Sequence, residues 1–443
     1  MNIIRNLYIH ERFFKYLSVL VIVFLISFWF QIFYTIAWFM ATILGVLFFT
    51  DVYLLFHKKQ GIEASRILGD KFSNSDLNKI PISVKNKYNF KVGIKIIDEL
   101  PEQFQKRDFE ILAEIESKET SNFEYKVTPY ERGEYFFGNL NVYVSSFLKL
   151  TSKRYTFQQN QKVAVYPSYL QMRKYEFLAM GNRLTEFGLK KIRRIGHTLE
   201  FEQIKNYVYG DDVRTINWKA TAKKSQLMVN QFQDEKSQPI YSVIDVGRVM
   251  KMPFENLKLL DYAINATLAF SNIAIKKNDK AGLLTFSKKV DTIIAASNKK
   301  THLNNINEAL YNVNTKFTDA DFGYLYAFIK RNIKQRSLLL LYTNFEHISS
   351  LKRQLTYLQA ISRQHLLVVI FFENTELNSL INENAEDVQS IYHKTIAEKF
   401  DFEKRLIVKE LESRGIFAIL TKPKNLTVSV INKYLEFKAK GFI

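Results

Sequence analysis

The chain of 443 residues contains no cysteine. That absence excludes disulfide scaffolds, thiolate zinc sites, cysteine nucleophiles and lipid anchoring on a cysteine. Glycine is scarce, 15 in all, and no two glycines lie closer than the five residues between Gly133 and Gly138. Neither G-x-G-x-x-G nor G-x-S-x-G fits that spacing, and Asn139 follows Gly138 where a P-loop needs Lys. The seven histidines are scattered, with no pair one helical turn apart, so H-E-x-x-H is also missing. His197 is the one histidine beside an unusual polar block, and it reads as a surface or hydrogen-bonding residue. Nucleotide, zinc-hydrolase and serine-hydrolase chemistry therefore lose their usual supports.

What is present is apolar and basic. Hydrophobic residues make up 47% and charged residues 24%, which excludes global disorder and leaves material for two or three folded units. Lys and Arg number 63 against 44 Asp and Glu, a formal charge of +19. Such an excess suits an anionic lipid surface as well as a nucleic acid. The densest basic run, KKIRR at 190–194, stands without an aromatic RNA-binding motif or a recognition helix, so a nucleic-acid partner is not expected.

No charge occurs between Tyr16 and Thr50, and the apolar run resumes after Asp51 as far as Phe56. One span needs ~20 apolar residues. The run therefore predicts a transmembrane helical hairpin, at about 13–33 and 36–56, with its turn in Gln31–Thr35. Arg5, Arg12 and Lys15 precede it, Lys58, Lys59 and Arg66 follow it, and the turn has no cation. By the positive-inside rule both termini are expected on the cytoplasmic side of a double-pass membrane protein.

Residues 58–80 read as a polar linker. From 81 to 167 apolar and polar positions alternate between turn residues (Pro101, Pro129, Gly133, Gly138), the pattern of a small antiparallel β-sandwich. Residues 168–238 form a connecting segment with a polar block. From 239 to 443 short, wholly apolar runs alternate with helical stretches at about 255–277, 301–312, 321–335, 349–363, 384–414 and 425–440. That alternation predicts an α/β domain with a doubly wound, mostly parallel, Rossmann-like sheet. In such sheets ligands sit outside the carboxyl ends of the strands.

Two signals carry information about function. The strand IYSVIDVGRVM ends at Asp245. At this place a von Willebrand factor A domain holds D-x-S-x-S, part of a metal-ion-dependent adhesion site for Mg²⁺. The corresponding positions here are Asp245, Gly247 and Val249, so both hydroxyls are missing. Thr318 is the candidate for the later hydroxyl ligand, and Asn344 stands where a further Asp is usual. Asp245 thus reads either as a structural carboxylate or as the centre of a degenerate Mg²⁺ site with Thr318.

The second signal is YGDDVRTINWKATAKKSQLMVNQF, residues 209–232. Gly210, Asp211 and Asp212 make a turn, Arg214 suits bidentate pairing with a carboxylate, and Asn217 precedes Trp218. Trp218 is expected to anchor the segment on the domain that follows. The string either clasps the linker to the sheet or forms a partner-binding surface. It resembles the signature of the bacterial "domain of unknown function 58" family, and the resemblance extends over the membrane helices, the sandwich and the A-like domain. That resemblance implies a non-enzymatic adaptor without cofactor, tethered in a bacterial inner membrane. Its implied partners are a MoxR-type AAA+ ATPase and related A-domain proteins, in complex assembly or envelope stress. A divalent-metal-dependent receptor using Asp245 is the alternative, and a hydrolase acting through Asp211 and Asp212 is a remote third.

Overall fold

The computed structural model describes residues 3–157, 159–180, 200–209, 213, 216–233, 238–375, 377, 381 and 387–443. The chain divides into two compact units, 1–166 and 167–443.

After a single helical turn at Ile3–Asn6, the first unit has strand β1 (Leu7–Ile9) and two helices, α1 (Glu11–Ile26) and α2 (Gln31–Phe56). By length and composition α2 is the one described helix able to cross a membrane, with a mean hydropathy of 2.1 and few residues buried by protein. The predicted bounds shift. The turn lies at 27–30, not 31–35, because the Ser27 N–H and hydroxyl close α1 on the carbonyls of Val23 and Phe24. Gln31 and Thr35 instead occupy the first turns of α2, where Gln31 sits among N–H groups that lack helical partners.

Ten further strands complete this unit: β2 (Ile62–Arg66), β3 (Lys71–Ser73), β4 (Asn78–Asn86), β5 (Val92–Asp98), β6 (Ile111–Ile115), β7 (Thr120–Val127), β8 (Gly133–Phe137), β9 (Leu140–Ser145), β10 (Thr151–Phe157) and β11 (Gln161–Tyr166). They form three sheets, ordered β1-β10-β9-β5-β6, β2-β4-β7 and β3-β11-β8, around one core that includes Ile82, Ile96, Tyr135, Val142 and Val165. All described pairings here are antiparallel except β3 with β11.

The linker expected at 58–80 is a correction. Residues 62–66 and 71–73 are strands, and β4 starts at 78. Ile62, Ala64 and Phe72 are buried, because period-two alternation in I-E-A-S-R points one face inward even in a polar stretch. Arg66, counted above as a flanking cation, is buried in an ion pair with Asp98.

In the second unit, α3 (Tyr169–Met180), β12 (Glu200–Asn206), α4 (Trp218–Lys224) and β13 (Met228–Gln233) precede the large sheet. Its strands are β14 (Pro239–Asp245), β15 (Lys280–Phe286), β16 (Val290–Ser297), β17 (Leu338–Tyr342), β18 (Leu366–Phe372) and β19 (Phe417–Thr421). Their order is β16-β15-β14-β17-β18-β19, parallel throughout except for the antiparallel edge strand β16.

Alternate residues of each inner strand feed two separate cores. Ile240, Leu340 and Ile370 meet α5 (Leu259–Lys276), α6 (His302–Tyr311) and α10 (Leu426–Ala439). Val243, Leu341 and Val369 meet α7 (Phe322–Asn332), α8 (Ile348–Ser362) and α9 (Val388–Ser413). A strand covered on both faces has no solvent face to mark with polar residues, which explains the unbroken apolar runs. Residues 168–180 are more than a connector. Ser168 donates its N–H to Asn265 at 2.9 Å, and Glu176 accepts from Asn272 at 2.7 Å and pairs with Lys276.

Candidate functional site

Two places in the second unit gather the singled-out residues. The first is the carboxyl end of β14. The Asp245 carboxylate is buried and holds two neutral donors, the Gly247 N–H at 2.7 Å on Oδ1 and the Thr343 hydroxyl at 2.7 Å on Oδ2. Burial pushes its pKa up to about 6, with the like charge of Asp319 adding to the rise.

Gly247 is required where it stands. A Cβ there would lie 2.9 Å from Asp245 Oδ1 and 3.0 Å from the Thr318 carbonyl. The loop carrying Thr318 is fastened by Lys316 N–H to Val246 O at 2.7 Å and by Arg248 N–H to Thr318 O at 3.0 Å. Asp245, Gly247 and the Thr318 backbone therefore lie side by side. Thr318 Oγ1 is buried with no hydrogen-bond partner. Val249, by contrast, packs against the core and leaves the crevice.

Asn344 is buried beside Thr343, and its Oδ1 accepts the Lys404 ammonium at 2.7 Å. Lys404 also donates to the Phe345 carbonyl at 2.6 Å, and burial pulls its pKa down to about 8. Neither Thr343 nor Lys404 was singled out in the sequence. The signal for Lys404 is its place in the buried stripe of α9 with Ala397, Ile407 and Leu411, where an apolar residue belongs. Beside it a cavity of about 240 Å³ is bounded by Phe254, Glu346, Phe372, Glu373 and Phe400.

This donor set does not suit a divalent cation. Asp245 and Thr318 are the remaining side-chain oxygens of the pattern, since the Asn344 oxygen is taken by an ammonium and Gly247 and Val249 offer none. A resident ammonium also opposes a nearby second cation. Among the described residues no cluster of three His, Asp or Glu is arranged for a metal.

The second place is the hairpin β12–β13 with α4 on its connection. Gly210, Asp211, Asp212 and Arg214 of the signature lie outside the described residues, as do His197 and the run 190–194. Asn217 is described. Its Oδ1 accepts the Ala220 N–H at 3.0 Å as the helix N-cap, and its Nδ2 donates to Asn230 at 2.8 Å. Its N–H donates to the Met228 carbonyl at 2.8 Å, which ties α4 to β13. Ser225, in the left-handed region at φ 55°, ends the helix, and the Thr221 hydroxyl accepts the Met228 N–H at 3.0 Å.

Met228 and Val229 are buried beneath this turn, but Trp218 is not the anchor expected: its side chain is 70% exposed. Tyr209 is 99% exposed, and Val208 and Val213 are also open. Lys219, Lys223 and Lys224 are exposed on the same short helix. The segment is thus fixed by polar bonds and by Met228 and Val229, and it turns Tyr209 and Trp218 outward.

Comparison with known proteins bears on this second unit. Residues 203–380 match the family model "Protein of unknown function DUF58". The "Uncharacterized protein YeaD" of Bacillus subtilis (strain 168) is 26% identical over 173 residues, 39% of this chain and 40% of the relative. The match therefore spans well under two thirds of that relative's length. Among solved structures, the conserved hypothetical protein BatB from Bacteroides thetaiotaomicron aligns over 46% of this chain and 99% of its own at 10% identity, with a TM-score of 0.29. The SpRpn10 VWA domain aligns over 44% and 93% at 9% identity, with a TM-score of 0.27. Over residues 203–380, less than half of its length, the chain is thus similar to the family described as Protein of unknown function DUF58.

Proposed function

We propose that this chain is a non-enzymatic, membrane-anchored interaction protein whose von Willebrand A-like second unit presents the β12–α4–β13 segment to a protein partner. The exposed Tyr209 and Trp218, held on a hydrogen-bonded turn, carry this reading. Large aromatics left open beside polar residues mark binding surfaces more often than linkers, and Trp and Tyr are the usual anchors of such surfaces. The lysines of α4 favour a partner with an acidic rim. On the resemblance to the family, that partner is a MoxR-type AAA+ ATPase or a related A-domain protein.

The apolar α2 supports anchoring, with α1 as the second arm of a double-pass hairpin and both termini in the cytoplasm. At 16 residues α1 covers about 24 Å, short of the usual hydrocarbon thickness, so the second pass rests on the continuous apolar sequence. The Lys404 ammonium beside Asn344 favours a metal-independent docking domain over a Mg²⁺-dependent receptor.

Co-purification of the full chain with a nucleotide-locked ATPase of this type tests the docking face. The double substitution Tyr209→Ala, Trp218→Ala should lower capture at least tenfold with unfolding unchanged. Undiminished capture by a folded variant counts against the docking face.

A further inference from the structure

The apolar helices and the sandwich of the first unit meet at one carboxylate. Asp51, in the last two turns of α2, is buried. It accepts the Leu150 N–H at 3.1 Å, the Thr151 N–H at 2.7 Å, the Thr151 hydroxyl at 3.0 Å, and the Ser146 hydroxyl. The end of α2 is capped by the same unit: the Leu55 carbonyl accepts Tyr88 Oη at 2.7 Å and Lys153 Nζ at 3.1 Å. On the other helix the His10 N–H donates to the Leu150 carbonyl at 2.9 Å, one residue before α1 begins. Phe13 and Phe48 bring their ring centroids within 5.1 Å, so the two helices leave the sandwich at one level.

This fastening sets a height. The ~20 residues from Gln31 to Thr50 cover about 30 Å, one hydrocarbon thickness. Asp51 and the loop Ser146–Leu150 wrapped around it then fall at the boundary between acyl chains and headgroups. At that loop Phe147 is 66% exposed. Arg12 and Lys15 are exposed on the first turns of α1, beside the exposed rings of Phe14 and Tyr16. Lys149 is paired with Glu114 at 2.9 Å and is not counted among the free cations. Exposed aromatics at the end of an apolar helix, flanked by cations, are the composition of a membrane interface.

We propose that the loop Ser146–Leu150 is a lipid contact. Phe147 sits in the headgroup–acyl boundary of an anionic leaflet, with Arg12 and Lys15 on lipid phosphates, and the sandwich rides directly on the bilayer surface. This rests on the reading of α1 and α2 as a membrane hairpin.

The absence of cysteine makes the test direct. The full chain carrying Phe147→Cys, or separately Gly45→Cys, is labelled with a nitrobenzoxadiazole fluorophore in phosphatidylcholine–phosphatidylglycerol vesicles. Gly45 serves because a side chain there meets no protein atom within 4 Å, and Phe147 because its side chain is largely open. Nitroxide lipids labelled near the headgroup or deep in the acyl chain read depth. The label at 147 should emit to the blue of its value in water and be quenched several-fold more by the shallow nitroxide, while the label at 45 is quenched by the deep one. A water-like label at 147 with a quenched label at 45 overturns the lipid contact but keeps the membrane reading. No quenching at either position overturns both.

Discussion

Each unit buries a carboxylate, and the two are treated differently. Asp98 in the first unit meets the Arg66 guanidinium and the Tyr125 hydroxyl, and Arg66 donates again to the carbonyls of Gly138 at 3.2 Å and Gln159 at 2.6 Å. Burial raises the Asp98 pKa against the pull of those two partners. Asp245 in the second unit has neutral donors alone, while the Lys404 cation, reached through the adjacent Asn344, bonds to amide and carbonyl oxygens. In the sandwich opposite charges meet and neutralise each other, so they serve the fold. At the strand ends of the six-stranded sheet they are held apart, and the crevice keeps its polarity.

The largest effect that sharpens this contrast is Arg66→Met. It strands the buried Asp98 charge and should cost about 3–5 kcal/mol, read by chemical denaturation of the full chain in detergent. Asp245→Asn keeps the shape and the acceptor for the Gly247 N–H, its amide can donate to a rotated Thr343 hydroxyl, and it should cost far less. Equal losses for the two variants would break the comparison.

The next effect is on pH. Because the native Asp245 pKa lies near 6, above its usual 3.8, the native state holds the proton more tightly than the unfolded chain. Its contribution is full below about pH 4 and lost as pH rises through about 6, a change on the order of 3 kcal/mol. The difference in unfolding midpoint between the chain and Asp245→Asn, followed from pH 4 to 7, should trace that fall. A constant difference contradicts an uncompensated carboxylate.

Smaller again, Asn217→Ala removes the cap of α4 and should cost about 1 kcal/mol. Trp218→Ala should change stability by no more than about 0.5 kcal/mol, since the ring is largely in solvent. Both are read by the same denaturation. A loss above about 2 kcal/mol for Trp218→Ala would mean that the ring is a structural anchor after all.

The strands of the large sheet were legible because burial on both faces leaves wholly apolar runs such as LLLLY and LLVVIFF. The first sandwich strands were not, since the three inward positions of IEASR include just two apolar residues, Ile62 and Ala64, beside the buried Arg66. The hairpin turn was misplaced because Phe28, Trp29 and Phe30 are as apolar as the helices they join. The cluster of Asp245, Gly247 and Thr318 followed from one resemblance. Lys404 did not, because its partner Asn344 lies 60 residues away and nothing local pairs them. Trp218 misled for the opposite reason: a large ring promises burial, and here the polar Asn217 and Asn230 do the fastening.

We propose that an open aromatic turn, not a metal or a reaction, is what this chain offers its partners. Capture of a nucleotide-locked MoxR-type ATPase by the full chain, with and without Tyr209→Ala and Trp218→Ala and in the presence or absence of a chelator, tests it most directly. The account predicts loss with the double variant and indifference to the chelator. Capture that survives the substitutions but vanishes on chelation would contradict it.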